Sequence, residues 1–477
     1  MTAETTGPVT GTGAAAHLPA RLRFAFLAGP MLSMIDSSVV NVAVPVIVHG
    51  LHTTLSTAAW VVSGYLLGLA CGLAATPWLA RRFGTLPAYI AAMAAFTLAS
   101  AGCALVPSVG LLIAARVVQG LTGAPMVPLA MSLILDPRRG PRSMPASAGI
   151  VLFAAPALGP AIGGLLISAF GWRSVFLVNL PVGLLALAAA RAARRAIPGG
   201  GDRAARLDLP GLALLAAGLG LATYGASQGP AHGWLSAGSA PVWAGGLAGV
   251  GAYVLRERAA PRTRAPAVNL SLLASPRRAL ILALACITSV VLFAVLFLAP
   301  VFLQQVQHHS TTVTGLVLLP QGVVMGLASW LGSVLIGRAG RHPALITMSV
   351  TGGLALLTAS TLGLLLLTPT TPVWVVAGLL CGRGVALGLA IQPLVMAFLA
   401  GVDETRMPDA NTLFNIAERL SGSFGIALLA TLYASRAAAT GDPVTAFRDC
   451  VLVLGAAAAA GAVAAACNHG VSVNDAG

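Results

Sequence analysis

Five ionisable side chains stand inside long apolar stretches of this 477-residue sequence: Asp36, Arg116, Arg383, Glu418 and Arg419. Placing such a group in a bilayer costs at least about 2.5–3.5 kcal/mol, so it usually faces an interior cavity and carries function. Asp36 sits in Met34-Ile35-Asp36-Ser37-Ser38-Val39-Val40-Asn41-Val42-Ala43-Val44-Pro45. Apolar surroundings disfavour the charged form of a carboxylate, which suits Asp36 to take up and release a proton. The competing reading is a structural carboxylate bonded to neighbouring hydroxyls or to Asn41. Arg116, Gln119, Gly120 and Gly123 fall at i, i+3, i+4 and i+7, one face of a helix. The glycines admit a neighbouring helix closely, and the polar groups are expected to face a cavity. Arginine does not deprotonate in proteins, so Arg116 would either tune a nearby carboxylate or form a purely structural ion pair. Asp36 and Arg116 are therefore the expected proton-coupling pair, with Asn41 and Gln119 beside them as cavity residues.

Glu418 adjoins Arg419 in Phe414-Asn415-Ile416-Ala417-Glu418-Arg419-Leu420. It is either a second proton or cation site in a cavity, or a local partner of Arg419 near the inner surface. Arg383 mirrors Arg116 and is either a cavity residue or structural. Gly159, Pro160, Gly163 and Gly164 belong to a run of small residues and prolines that either bends a helix between two moving parts or packs helices closely. His308 and His309 are expected as solvated loop histidines. The six cysteines have neither metal-ligand nor redox spacing, so no metal and no cofactor are expected. No His–Glu zinc motif and no nucleophile with a base partner argue for an enzyme. No ring of charge and no carbonyl filter argue for a channel.

The elements that must hold these residues are transmembrane helices. The chain is 57% hydrophobic and only 8% charged, against about 25% charged in a soluble domain. Apolar runs of about 20 residues recur throughout, each long enough to cross a hydrocarbon core as a helix. The pattern predicts an all-α integral membrane protein with fourteen spans at 23–45, 56–80, 86–106, 111–135, 145–169, 172–191, 208–226, 238–256, 279–303, 313–336, 343–367, 372–400, 411–434 and 444–466. The net charge of +14 would suggest nucleic acid in a soluble protein. Here the basic residues are all arginines clustered between spans, which points away from it. With a cytoplasmic N-terminus, twenty-one arginines fall in inner segments and three in outer ones, the asymmetry that orients a multi-pass protein. Both termini are thus expected in the cytoplasm.

Motif order repeats along the chain. Gly72-Leu73-Ala74 precedes Arg81-Arg82-Phe83-Gly84, and Gly326-Leu327-Ala328 precedes Arg338-Ala339-Gly340-Arg341. Arg116, Gly120 and Pro125 are echoed by Arg383, Gly388 and Pro393. Repeated halves are a transporter architecture, because a site between them opens to either side when one rocks against the other. The expected organisation is a disordered tail at 1–20, a six-helix half at 21–195, a linker with two extra helices at 196–264, a second six-helix half at 265–467 and a tail at 468–477.

At these residues the chain resembles the fourteen-span drug:proton antiporter branch of the major facilitator superfamily. Asp36 to Pro45 is similar to its first-helix pattern, Arg116-Val117-Val118-Gln119-Gly120 to its fourth-helix motif, and Gly159-Pro160-Ala161-Ile162-Gly163-Gly164 to its antiporter motif. Gly171-Trp172-Arg173-Ser174-Val175-Phe176-Leu177-Val178-Asn179-Leu180-Pro181-Val182-Gly183 is similar to its sixth-helix entry. The resemblance implies a monomeric exporter of lipophilic drug-like or antibiotic molecules across the cytoplasmic membrane, driven by the proton gradient. Cations are a substrate class if Glu418 lines the cavity. Export of an endogenous metabolite or self-made antibiotic is the alternative. The gate loop Arg81, Arg82 and Gly84 departs from the family, because Arg81 stands where that loop carries an Asp.

Overall fold

The computed structural model describes residues 20–134, 146–192, 200–202, 206–259, 268–338 and 343–467. The expected terminal tails, and the loop arginines Arg138, Arg139, Arg142, Arg194, Arg195, Arg203, Arg262, Arg264 and Arg341, lie outside these residues. No strand occurs among the described residues. A first group comprises α1 (Ala20–Gly50), α2 (Leu55–Phe83), α3 (Thr85–Leu105), α4 (Val109–Gly123), α5 (Met126–Ile134), α6 (Ala146–Phe170), α7 (Ser174–Leu177) and α8 (Asn179–Ala192). Then come α9 (Leu209–Ser227), α10 (Gly229–His232) and α11 (Ala240–Ala259). A second group comprises α12 (Pro276–Val301), α13 (Thr311–Arg338), α14 (Pro343–Gly363), α15 (Val373–Leu399), α16 (Met407–Thr440) and α17 (Pro443–Cys467).

A helix occupies every predicted span, but eleven among the described residues are long and apolar enough to cross a membrane. The exceptions are α6, α11 and α16. In α6 the described side chains give an apolar stretch at Ala155–Phe170, within a helix of 25 residues. Arg256, Glu257 and Arg258 lower the apolar character of α11, and Asp409, Glu418 and Arg419 do the same in α16. Two predicted spans are interrupted. Pro125, which has no N–H to give, stands between α4 and α5, and Val178 separates α7 from α8.

Glycine spacing sets the packing that positions the site. Gly64, Gly68 and Gly72 form a small-residue stripe on α2, and α4 lies directly on it. A Cβ at Gly68 would collide with the Val117 carbonyl, and one at Gly120 with the Tyr65 carbonyl. Close approach of this kind is how membrane helices associate where lipid offers no hydrophobic drive. The second group repeats it, with Gly384 and Gly388 of α15 against the Gln321 and Met325 carbonyls of α13. α9 and α11 pair through Gly218, Gly225 and Gly246. Arg256 binds Asp208 through two hydrogen bonds of 2.7 and 2.8 Å. The α9–α11 pair touches both groups, because α9 packs on α2 and on α16.

The two groups meet where α2 packs on α16, α6 on α13 and α1 on α12. Ser63 and Ser423 exchange hydroxyl-to-carbonyl bonds of 3.0 and 2.9 Å. Gln304 donates to the Val42 carbonyl at 3.0 Å, and Thr311 and Thr312 donate to the Gly164 carbonyl at 3.1 and 3.4 Å. Thr312 also reaches Ser168 at 2.9 Å. These hydrogen bonds between the groups lie on the side of the α1–α2 loop.

Candidate functional site

A closed polar cluster forms where α1, α3, α4 and the start of α8 converge. Asp36 and Arg116 are both fully buried and pair at 2.5 Å, Nη1 to Oδ2. Gln119 accepts from the same Nη1 at 2.7 Å and donates to Asp36 Oδ1 at 3.1 Å. Asn179 donates to that Oδ1 at 2.9 Å. Ser100 accepts from Gln119 and Asn179 at 3.1 and 3.0 Å, and gives its own proton to the Phe176 carbonyl at 2.9 Å. Cys103 donates to Gln119 Oε1 at 3.3 Å. The Asp36 carboxylate thus has one cationic and two neutral donors, the set that satisfies an ionised carboxylate away from water.

The guanidinium is fixed as tightly. Arg116 Nε donates to the Val61 carbonyl at 3.0 Å, and its carbon lies 4.0 Å from the centre of the Tyr65 ring. The ring is held because Tyr65 donates to the Ser33 carbonyl at 3.0 Å. Only a glycine-faced contact between α2 and α4 lets Arg116 reach both Val61 and Tyr65. Its Nη2 has no hydrogen-bond partner.

Asp36, Arg116 and Gln119 are therefore brought together, with Arg116 and Gln119 on one helical face as their spacing predicts. Asn41 is not with them. It is fully buried and turns back on its own helix, donating to the Ser37 and Ser38 carbonyls at 3.3 and 3.2 Å. The reading of Asp36 as bonded to Asn41 is thus replaced by Arg116, Gln119 and Asn179. Sequence reasoning missed Asn179 and Ser100 as site residues, although each is a polar residue inside an apolar span.

Arg383 is also fully buried, and its acceptors are neutral: Thr361 Oγ1 at 2.5 Å and the Val291 carbonyl at 3.1 Å. Asp36 lies nine residues before Pro45, and Val291 nine before Pro300. The second group therefore places valine where the first places its carboxylate, and Arg383 is met by neutral acceptors alone. Glu418 and Arg419 are half-buried and form no ion pair with each other, which corrects the expectation of a local pair.

Gly159 and Gly163 face α1, where a Cβ would meet the Ser38 hydroxyl and the Val39 side chain. Gly164 faces the Thr311 carbonyl of α13, and the Pro160 carbonyl lies against Gly315. The glycine–proline run is thus the packing surface between α1 in the first group and α13 in the second. In the gate loop Arg81 is exposed, Arg82 half-buried, and Gly84 takes a positive φ of 84°. The segment 200–202 lies on this loop, with Asp202 N–H donating to the Arg81 carbonyl at 2.7 Å. His308 and His309 line a cavity of about 590 Å³ with His49, Gln304 and Gln305 beside the α1–α2 loop.

Comparison with known proteins follows the same outline. The sequence profile of the Major Facilitator Superfamily matches residues 26–426. A multidrug resistance protein B homolog of Mycobacterium tuberculosis is 33% identical over 411 residues, 84% of this chain and 74% of that protein. The tetracenomycin C resistance and export protein of Streptomyces glaucescens is 31% identical over 430 residues, 86% of this chain and 74% of that one. Among solved structures, a bacterial homolog of the human lysosomal transporter Spinster, crystallised inward-facing and unoccupied, superposes with a TM-score of 0.66. It shares 16% identity over 94% of this chain and 98% of its own, a likeness of fold.

Proposed function

Because this chain belongs to the major facilitator superfamily, we propose that it exports drug-like or antibiotic small molecules across the cytoplasmic membrane in exchange for protons. The multidrug and antibiotic resistance relatives support the cargo. The buried Asp36 cluster carries the proposal of proton coupling, since it holds an ionisable carboxylate at a junction of helices. The reading includes fourteen spans, six-helix halves at 21–195 and 265–467, a two-helix linker at 196–264, cytoplasmic termini and a monomer.

Coupling would run through α1. With Asp36 ionised, Arg116, Gln119 and Asn179 tie α1 to α4 and α8. A proton on Asp36 removes the negative charge that Arg116 needs, and one donor then faces a neutral acid. The grip on α1 weakens as a result. Six residues further along α1 is Val42, whose carbonyl receives Gln304 from the second group. A shift of α1 on protonation therefore acts directly on the bonded end of the seam. Gly159 and Gly163 press on Ser38 and Val39 of the same helix and carry the movement to α6.

The cargo would sit between the two groups in a largely apolar space. Glu418, half-buried on α16, would favour lipophilic cations there. The Streptomyces glaucescens relative, named for export as well as resistance, also fits a dedicated exporter of a self-made antibiotic, which needs the same cavity. The test is efflux of a compound panel from cells with and without the protein. Loss of extrusion on collapse of the proton gradient is expected. Extrusion that persists without a gradient, or that is identical in cells lacking the protein, overturns the reading.

A further inference from the structure

We propose that Arg419 recognises an acidic group on the exported compound, a carboxylate, phenolate or enolate, at the seam between the two helix groups. The inference rests on the exporter reading above and adds a substrate class to it. Arg419 lies four residues before Ser423 on α16, so the two share a face. Ser423 bonds to Ser63 of α2, which shows that this face looks at the opposite group. The Arg419 guanidinium carbon is 5.8 Å from the centre of the Phe293 ring of α12. That ring is pressed against Gly422, so it is a fixed platform for the cation.

Among the described residues no acidic side chain pairs with this charge. Three arginines lie well inside the spans. Arg116 is held by Asp36, Gln119 and the Val61 carbonyl. Arg383 is sealed against Thr361 and Val291. Among the described residues, Arg419 has no ion pair and no hydrogen bond, although it is half-buried. Glu418 is its neighbour in sequence, but successive side chains of a helix diverge by about 100°. Glu418 accordingly forms no ion pair with Arg419. An arginine within a span that lacks a partner marks a substrate pathway by default. With its carbon over the Phe293 ring at 5.8 Å, the guanidinium donates no hydrogen bond from its N–H groups among the described residues. Its planar fork matches a carboxylate or a conjugated enolate through two parallel bonds.

The test compares aromatic carboxylic acids with their methyl esters, of nearly equal size and without the charge. Everted membrane vesicles given a proton gradient would be assayed with wild type, Arg419→Gln and Arg419→Lys, each checked for amount and melting temperature. Wild type should transport the acids in preference to the esters. Arg419→Gln should lower the acid-to-ester transport ratio by about tenfold or more, the loss of a charge-assisted bond pair, while ester transport persists. Arg419→Lys, which keeps the charge but not the fork, should fall between. If Arg419→Gln does not accumulate, the Lys variant decides, because an unchanged acid-to-ester ratio there overturns the proposal. Equal losses for acid and ester in either variant also overturn it. Transport of esters and neutral compounds alone by wild type sinks the acid site and leaves the exporter standing. No gradient-driven transport of any compound sinks the exporter reading itself.

Discussion

Asp36→Asn should damage the protein twice, and the two effects can be separated. The substitution keeps the shape and one acceptor oxygen, so Gln119 and Asn179 retain a partner. The new amide group instead meets Arg116 Nη1 at a position where Oδ2 accepted at 2.5 Å, setting donor against donor. Both side chains of the pair are fully buried, so no water replaces the lost charge. Removing one partner of a buried pair costs about 3–5 kcal/mol, chiefly from stranding the other charge. Arg116→Gln alone should destabilise for the converse reason. The double variant Asp36→Asn/Arg116→Gln carries no stranded charge and should recover about 2 kcal/mol or more relative to the sum of the single variants, a coupling typical of residues in one network. Thermal unfolding of the purified proteins in detergent reads the stability. Gradient-driven efflux in everted vesicles reads the function, which should be absent from the double variant despite its recovered stability. A melting temperature unchanged in Asp36→Asn, or strictly additive losses in the double variant, would refute the assigned pairing.

Asn179→Ala removes a neutral donor from both Asp36 and Ser100 and should cost about 1.5–3 kcal/mol, the range for a hydrogen bond to a charged group, read as a lowered melting temperature. Unchanged melting would detach Asn179 from the cluster. Glu418→Gln should reduce export of a lipophilic cation relative to a neutral compound of similar size, measured on both in the same vesicles; equal reductions would remove Glu418 from cation recognition. A cysteine placed at Ser275 in a cysteine-free background should react with an impermeant maleimide only after the cells are permeabilised. Labelling of intact cells would invert the orientation.

The helices were legible because apolar runs of membrane length need no knowledge of neighbours. The limits of that reading are local: Pro125 and Val178 divide helices that apolar content alone treats as continuous. Within the site, Arg116 and Gln119 are one helical turn apart, so their common face followed from spacing. Asn179 is 143 residues from Asp36, and no periodicity announces such a pairing. Asn41 was misplaced by nearness in sequence, since five residues rotate a helix by about 140° and carry the side chain away from Asp36. Glu418 and Arg419 misled in the same way. The motif repeat set Arg383 against Arg116, but it hid that a valine, Val291, stands where the carboxylate is expected. The role of a repeated arginine depends on what faces it, and that is settled by packing between α12, α14 and α15.

The central claim is that proton movement and export share Asp36. The direct measurement is proton flux in proteoliposomes containing the purified protein and an internal pH-sensitive dye, started by adding an exported compound without an imposed gradient. The account predicts compound-dependent proton movement by wild type and none by Asp36→Asn/Arg116→Gln at equal folded protein. Equal proton flux in the two would contradict it.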